Sequence, residues 1–254
     1  MCLVVLAVGM HRDFPLIMLG NRDEFHARPT APMHWWARPR ILAGRDLEAG
    51  GTWLGVTRTG RVATVTNYRD PDQPTVSRSR GLLVTRALTS DPADFRRHLG
   101  DHAQDYGGYN LLWSDPQGDC WYHSNRRDQA PGRLPPGVYG LSNGVLDTPW
   151  PKLKRAREAL REAIAADCLS ETGCFAILAD RRVPADKTLP RTGVSLEWER
   201  LLSTAFIVSA EYGTRSSTLV MVRRNGRVSV EERGFDPAGR QVTGRSYRFP
   251  CTPA

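Results

Sequence analysis

The chain has 254 residues, of which 40% are hydrophobic and 24% charged, so it can form a core of ordinary size. Its formal net charge of +8 favours an anionic partner such as nucleic acid, lipid or an acidic small molecule. The basic residues are nearly all Arg, and they are scattered rather than grouped in a block of like charges. We therefore expect a small anionic ligand and no binding of nucleic acid.

The cysteines and the apolar runs predict where the chain resides. Its five cysteines form no C-x-x-C pair and leave one over, which is a poor disulfide framework and favours a reducing compartment. The apolar run at residues 3–8 is too short for a signal sequence, and no run approaches the ~20 residues that a membrane-spanning helix needs. We expect a cytoplasmic protein without an integral membrane segment.

Two strands are predicted at the start of the chain. Residues 3–8 are apolar on both faces, which indicates a strand buried between two layers. A second strand is predicted at residues 15–20, followed directly by four polar residues. Continued with a period of two, it places Arg22 on the opposite face from Asp23.

The segment 25–40 contains three prolines and the adjacent Trp35 and Trp36, and we interpret it as a long ordered loop. His26 and His34 flank this loop near Met33, and an aromatic lid with a soft ligand would hold a flat cofactor. Packed loop aromatics explain the same residues equally well.

The remaining elements follow in blocks. Predicted strands lie at 52–57, 61–67, 109–114, 119–123, 137–141, 206–209, 218–223, 227–233 and 246–249, and predicted helices at 79–89, 92–105, 151–167, 171–180 and 195–202. Strands cluster at both ends and helices in two central blocks, which favours antiparallel sheets covered by helices over alternating β-α-β units. No linker or repeat divides the chain, so we expect a single domain over residues 1–254.

Cys2 is the first candidate for chemistry. Removal of Met1 would leave a thiol and a free α-amine on one residue, with ordinary pKa values of ~8.5 and ~7.7–8.0, close enough to exchange a proton near neutrality. A nearby Arg would favour the thiolate. The alternative is a buried cysteine that packs like a small apolar residue.

Polar groups at other strand ends are further candidates. The run Asn21-Arg22-Asp23-Glu24 either lines a cleft, where Arg22 would bind a carboxylate or thiolate, or forms a salt-bridge network. Asn67 and Asn143 each follow a strand, where a side-chain amide can stabilise an oxyanion or simply occupy a turn. Arg215 is either an anion clamp or an exposed cation.

His98 and His102 have the i, i+4 spacing of a helical metal site. No H-E-x-x-H pattern or third ligand accompanies them, so we predict a solvated helix face and no metal site.

Six ordered blocks of the sequence resemble the NRDE family, also called the transport and Golgi organisation protein 2 family. They are Met1-Cys2, NRDEFHARP (21–29), GRDLEAGGTWLG (44–55), VATVTNYRD (62–70), GLSNGVLDTPWPKL (140–153) and EYGTRSSTLV (211–220). The resemblance extends from the first residue to about residue 235.

This resemblance implies an α+β fold like that of the N-terminal-nucleophile hydrolases: a four-layer αββα sandwich with two stacked antiparallel sheets. In the cysteine branch of those enzymes, which includes choloylglycine hydrolase and penicillin V acylase, an Arg and an Asp lie near the nucleophile. Cys2, Arg22 and Asp23 match these roles, with Asn67, Asn143 and Arg215 as looser counterparts. The Arg and Asp are adjacent here but two residues apart in that branch, which leaves open whether Asp23 or Glu24 is the functional carboxylate.

Two functions follow as hypotheses. In the first, Cys2 attacks an amide or thioester carbonyl of an amphipathic anionic substrate, and no cofactor is required. In the second, suggested by the association of the family with haem trafficking and with lipid or acyl-coenzyme A homeostasis, the same pocket is that of a non-catalytic carrier for haem or acyl-coenzyme A. The ligand-binding residues predicted for either function are Asn21, Glu24, His26, Trp36 and Trp53.

Overall fold

The computed structural model describes residues 2–70, 78–115 and 117–252. The strands within these ranges are β1 (Cys2–Val8), β2 (Leu16–Phe25), β3 (Thr30–Trp35), β4 (Ile41–Asp46), β5 (Leu54–Thr57), β6 (Val62–Asn67), β7 (Tyr109–Ser114), β8 (Cys120–Ser124), β9 (Gly132–Arg133), β10 (Gly137–Leu141), β11 (Tyr212–Val222), β12 (Arg227–Phe235) and β13 (Gln241–Pro250). The α-helices are α1 (Gly81–Thr89), α2 (Pro92–His102), α3 (Pro151–Ala165), α4 (Glu171–Leu178) and α5 (Leu196–Leu202).

The strands of the described residues form two antiparallel sheets. A six-stranded sheet has the order β10-β1-β2-β11-β12-β13, and a seven-stranded sheet runs from β3 to β9 in chain order. The first sheet therefore brings both ends of the chain together, with β1 and β2 at its centre beside β11.

Three apolar clusters define the layers. One lies between the two sheets and includes Leu6, Met18 and Val220. A second joins the other face of the six-stranded sheet to α3 and α4, and a third joins the seven-stranded sheet to α1 and α2. The order is helix, sheet, sheet, helix. The predicted four-layer αββα arrangement is confirmed, as is the burial of β1 on both faces.

Two predicted elements are wrong. Residues 25–40 are not one long loop, because β3 occupies Thr30–Trp35. Pro32 is tolerated there since β3 is an edge strand with an irregular register against β4. Residues 206–209 form no strand, because the Phe206 N–H donates to the Asp180 carbonyl oxygen and the chain enters the sheet only at Tyr212.

Among the described residues, no helix is both long and apolar enough to cross a membrane.

Candidate active site around Cys2

Cys2 and Arg22 are neighbours because β1 and β2 pair antiparallel. The register sets Leu6 opposite Met18 and Cys2 opposite Arg22. Both side chains follow the face of the strand that points towards the other sheet. The face that forms the inter-sheet core further along the strand therefore ends in a thiol and a guanidinium.

Asp23 and Asn21 lie on the opposite face of β2, as their spacing predicts. The Asn21 side-chain N–H groups donate to the carbonyl oxygens of Leu178 and Ala205, at 2.8 and 2.7 Å. Thr214 Oγ1 donates to Asp23 Oδ1 at 2.7 Å. Asn21 therefore anchors β2 to the helical layer. It does not line the cavity beside Cys2, although it was predicted to bind the ligand.

A cavity of about 520 Å³ opens beside Cys2. Its lining is rich in charged groups and includes Cys2, Arg22, Asp23, Glu24, Arg28, Asp46, Trp53, Asn67, Arg78 and Arg80. Four cations and three carboxylates thus share one concave surface, which suits a polar ligand with at least one negative group. Trp53 supplies an aromatic wall.

Arg22 is held against that wall. Only 5% of Arg22 is exposed, and its Cζ lies 4.4 Å from the centre of the Trp53 ring. Its Nη2 is 3.9 Å from Glu24 Oε2, and its Nη1 is buried without a hydrogen-bond partner among the described residues. A planar cation stacked on an indole retains its in-plane N–H groups for a ligand.

The environment of Cys2 favours the protonated thiol. Burial raises the pKa of Cys2, and the negative charge of Asp23 raises it further, against the lowering effects of the Asp23 backbone and of Arg22. Activation of this thiol therefore requires a base.

Lys152 is a buried cation on the helical side of the site. It lies in the first turn of α3, and its Nζ donates to the Leu202 carbonyl oxygen at 2.8 Å. Burial lowers the pKa of Lys152 to about 8, and the charge of Asp23 opposes this shift. In turn, burial raises the pKa of the Asp23 carboxyl, while Lys152 and Arg22 are among the cations that lower it.

The two predicted oxyanion donors occupy different positions. Asn67 lines the cavity. Asn143 is buried beside it, and its Nδ2 donates to the Asn67 carbonyl oxygen at 2.9 Å. The Ser142 hydroxyl lies 2.9 Å from the Cys2 carbonyl oxygen and 3.2 Å from Asn143 Oδ1. Asn143 thus supports the backbone of Asn67, and the Ser142 hydroxyl can donate its one proton to either the Cys2 carbonyl oxygen or Asn143 Oδ1.

Glu24 and Asp23 have different surroundings. Glu24 is partly exposed on the cavity side and lies 4.0 Å from Arg28 Nε, which in turn donates to Asp46 Oδ2 at 2.8 Å. Asp23 is only 1% exposed and influences the pKa of Cys2. Of the two carboxylates, Asp23 is the one electrostatically coupled to the thiol.

Arg215 does not line the Cys2 cavity. It occupies the irregularity in the pairing of β11 with β2, between Thr214 and Ser216. Its Nη1 contacts the carbonyl oxygens of Phe25, His26 and Arg28 at 2.9–3.2 Å. Arg215 therefore fixes the turn after β2. These contacts do not make it an anion clamp at the Cys2 cavity.

His26 and Trp36 also lie outside this cavity. His26 Nε2 is 3.1 Å from the Ser209 carbonyl oxygen. Trp36 is buried under α1, where its Nε1 donates to the Ala43 carbonyl oxygen at 3.0 Å. The prediction of a Trp35-Trp36 lid is wrong, since this segment belongs to an edge strand and its following residue.

The two histidines of the predicted pair contact each other and residues just after their own helix. The rings of His98 and His102 are 4.7 Å apart, His98 Nε2 lies 3.0 Å from the Tyr106 hydroxyl, and His102 Nδ1 lies 3.1 Å from Asp105 Oδ2. The described residues contain no cluster of three or more His, Cys, Asp or Glu side chains suited to a metal ion.

Sequence reasoning missed Arg28, Arg80, Lys152 and Glu232. Burial raises the pKa of the Glu232 carboxyl, and the charge of Arg22 is among the effects that oppose this shift. One signal was available for Lys152: the chain uses Lys at only three positions, and this one follows Trp150-Pro151 at a helix start. Arg28 lies within the NRDEFHARP block, which was a signal that could have found it, whereas Arg80 and Glu232 lie in stretches where an Arg or Glu carries no distinctive pattern.

Comparisons with known proteins cover almost the whole chain. The chain matches the sequence model of the family described as Transport and Golgi organisation 2 over residues 1–237. It is 34% identical to the Transport and Golgi organization protein 2 homologs of Bos taurus, over 93% of both chains, and of Homo sapiens, over 93% of this chain and 92% of the human protein.

Among solved structures, a variant of conjugated bile acid hydrolase from Clostridium perfringens aligns with a TM-score of 0.49 at 10% identity, covering 99% of this chain and 98% of that chain. The N-acylethanolamine-hydrolyzing acid amidase ortholog of Caenorhabditis elegans aligns with a TM-score of 0.43 at 12% identity, over 86% and 92% of the two chains. The match across residues 1–237 and the 34% identity to the bovine and human proteins establish that the chain belongs to the Transport and Golgi organisation 2 family.

Proposed function

We propose that Cys2, once Met1 is removed, is the nucleophile of a hydrolase that cleaves an amide or thioester of an amphipathic anionic substrate. The observation that carries this proposal is the position of Cys2, opposite Arg22 in the sheet and on the wall of a cavity of about 520 Å³. Met1 itself lies outside the described residues.

Removal of Met1 supplies the base that the thiol needs. The α-amine of Cys2 would take the thiol proton, and the thiolate would attack the carbonyl carbon of the substrate. The negative charge of Asp23, which acts on Cys2, would stabilise the resulting ammonium group, and Arg22 favours the thiolate. Before the α-amine takes its proton, burial favours the protonated form of the thiol, because it raises the pKa of Cys2.

The negative charge that develops on the substrate oxygen requires a donor. Asn67 lines the cavity, and Asn143 holds the Asn67 main chain, so we assign the donor to Asn67 and a positioning role to Asn143. Collapse of the tetrahedral intermediate expels the amine or thiol, which takes the proton from the α-ammonium group. Water then hydrolyses the acyl-Cys2 thioester, releasing the acid and regenerating the thiol.

The lining indicates the class of substrate. Arg28, Arg78 and Arg80 offer positive charge at the cavity wall, and Trp53 offers an apolar surface. An acyl compound with a negative group a few bonds from its carbonyl would match both. Trp53 and Trp36 were both predicted to bind the ligand, and of the two only Trp53 lines this cavity.

A non-catalytic carrier is the second candidate, favoured by the raised pKa of Cys2. If Met1 is retained, the thiol has no adjacent amine, and the same cations and Trp53 bind an anionic ligand without turnover. For haem, the cations would bind the propionates. The predicted ligand-binding residue His26 lies outside this cavity, so Cys2, which lines it, would be the ligand to the iron.

Intact mass and thiol labelling separate the two candidates. Cys120 and Cys174 are buried, and burial raises the pKa of each to about 12, so neither competes for an electrophile near neutrality. Cys168 is exposed, and the experiment therefore uses a Cys168→Ser background. The hydrolase predicts loss of Met1, preferential alkylation of Cys2 by iodoacetamide, and turnover of acyl thioesters. A chain that retains Met1 yet turns over substrate, or in which Cys251 is labelled first, contradicts the mechanism.

A further inference from the structure

A second cavity, of about 150 Å³, lies on the other side of the Arg22–Trp53 stack. Both residues line it, as they line the Cys2 cavity. The remaining wall consists of Thr30, Ala31, Pro32, Arg215, Ser216, Glu232, Gly234, Phe235, Val242 and Thr243. It lies between the two sheets, where the apolar residues of the inter-sheet core end.

Three buried polar side chains meet at this second cavity because of strand register. Ser216 on β11 pairs with Arg22 on β2, and Glu232 on β12 pairs with Thr218, two residues along from Ser216. Their exposed fractions are 5% for Arg22, 6% for Ser216 and 2% for Glu232. All three share the face of the sheet that carries Val220 and Val230 into the core.

Each of these side chains has a polar atom without a hydrogen-bond partner among the described residues: Arg22 Nη1, Ser216 Oγ and Glu232 Oε2. The other oxygen of the Glu232 carboxyl is satisfied, since the Met33 N–H donates to Oε1 at 2.7 Å. A buried polar atom without a partner destabilises the folded chain, because it has lost its hydrogen bonds to water without replacing them. Three of them around one cavity indicate a site for a group that completes their hydrogen bonds.

The chemistry of the three atoms defines that group. Arg22 only donates, the Glu232 carboxylate only accepts, and the Ser216 hydroxyl does either. A ligand group that carries both an acceptor and a donor can complete the hydrogen bonds of all three atoms. Arg22 and Glu232 have opposite charges that balance each other, so the group itself should be neutral. Primary carboxamides and hydroxyl groups meet these requirements.

We propose that the second cavity is a binding site for a neutral carboxamide or hydroxyl group, presented by a small ligand or by a substituent of a larger one. Its walls Pro32, Phe235 and Val242 are apolar and would contact a short carbon chain attached to that group. The site is independent of whether Cys2 acts as a nucleophile. Because Arg22 and Trp53 are shared, occupancy of this site changes the surroundings of both residues.

Binding is tested with propionamide, against propionate and propylammonium as charged molecules of matched size. The readout is the indole N–H signal of Trp53 in 15N-Trp-labelled full-length protein, assigned with a Trp53→Phe variant. We expect a saturable shift with propionamide and at least a fivefold weaker response to either ion. The experiment is repeated in a Cys2→Ala variant, so that failure of catalysis and failure of this site are distinguishable.

Substitutions locate the response. Glu232→Gln and Ser216→Ala are expected to weaken propionamide binding at least fivefold. Glu231→Gln, at the adjacent position on the other face of β12 where Glu231 pairs with Arg233, is the matched control and should bind normally. Stronger binding of propionate, absence of any saturable shift, or an unchanged affinity in both Glu232→Gln and Ser216→Ala would overturn the proposal.

Discussion

The two ends of the inter-sheet space are built on the same strands but are chemically opposite. At one end, β1, β2 and β11 bring Leu6, Met18 and Val220 into a dry core. At the other end, the same faces present Cys2, Arg22 and Ser216, which line two cavities. The period of two is unbroken from one end to the other, so only the type of side chain changes.

This contrast shows how the fold supports a polar site without losing its core. The apolar end fixes the strand register, because a slip by one residue would turn its side chains to the other face. The polar end inherits that register, which places a thiol opposite a guanidinium. Each of the following changes tests the division between the two ends, with the largest expected effect first.

Cys2→Ala tests the polar end most directly. If Cys2 is the nucleophile, this change lowers turnover of an acyl thioester by about 1,000-fold or more, since removal of a covalent nucleophile abolishes the pathway. The unfolding midpoint in urea should move little, because Cys2 is partly exposed at a strand end. Cys251→Ala is the control, and equal loss of turnover in that variant would contradict the assignment.

Leu6→Ala tests the apolar end. Leu6 is 1% exposed within the inter-sheet cluster, so truncation leaves a cavity and lowers the free energy of unfolding by about 2–5 kcal/mol. Urea denaturation monitored by Trp fluorescence measures this change. Ser216→Ala, at the polar end, should not lower the free energy of unfolding and should raise it by up to about 1–3 kcal/mol, because it removes a buried hydroxyl that has no hydrogen-bond partner among the described residues. Similar losses in both variants would remove the distinction between the ends.

Lys152→Met tests the buried cation behind Asp23. The pKa of Lys152 is lowered from 10.5 to about 8, so the unfolded chain binds more protons than the folded chain between these pH values. Stability therefore rises with pH across this window, by about 3 kcal/mol for this group. The difference in unfolding free energy between Lys152→Met and wild type should shift by that amount, in favour of wild type, from pH 8 to pH 10.5. Lys154→Met, at an exposed position on the same helix, should show no such trend.

Arg22→Gln tests the coupling between guanidinium and thiol. Arg22 lowers the pKa of Cys2, so its loss should raise that pKa and reduce the thiolate fraction near neutrality. The pH profile of Cys2 alkylation by iodoacetamide should move to higher pH. Arg215→Gln is the matched control, since Arg215 contacts carbonyl oxygens of the turn after β2. An unchanged profile in Arg22→Gln would contradict the expected effect of Arg22 on the pKa of the Cys2 thiol.

The sequence by itself determined the framework of the site. Alternating apolar residues identified β1 and the start of β2, and period two correctly separated Arg22 from Asp23. The order of strands and helices indicated covered antiparallel sheets, and six motif blocks indicated the family. These features are local or are spread along the chain in order, so they can be read without knowing which strands are neighbours.

Only the tertiary structure decided which residues share a cavity. Trp53 rather than Trp36 stacks on Arg22, while Lys152 acts on Asp23 and Arg22 acts on Glu232 from elements that are distant in the chain. Arg215 and His26 carry the right chemistry but are engaged by backbone carbonyl oxygens. The physical reason is that strand pairing across the sheet and stacking between sheets set these distances, and neither leaves a periodic signal in the sequence.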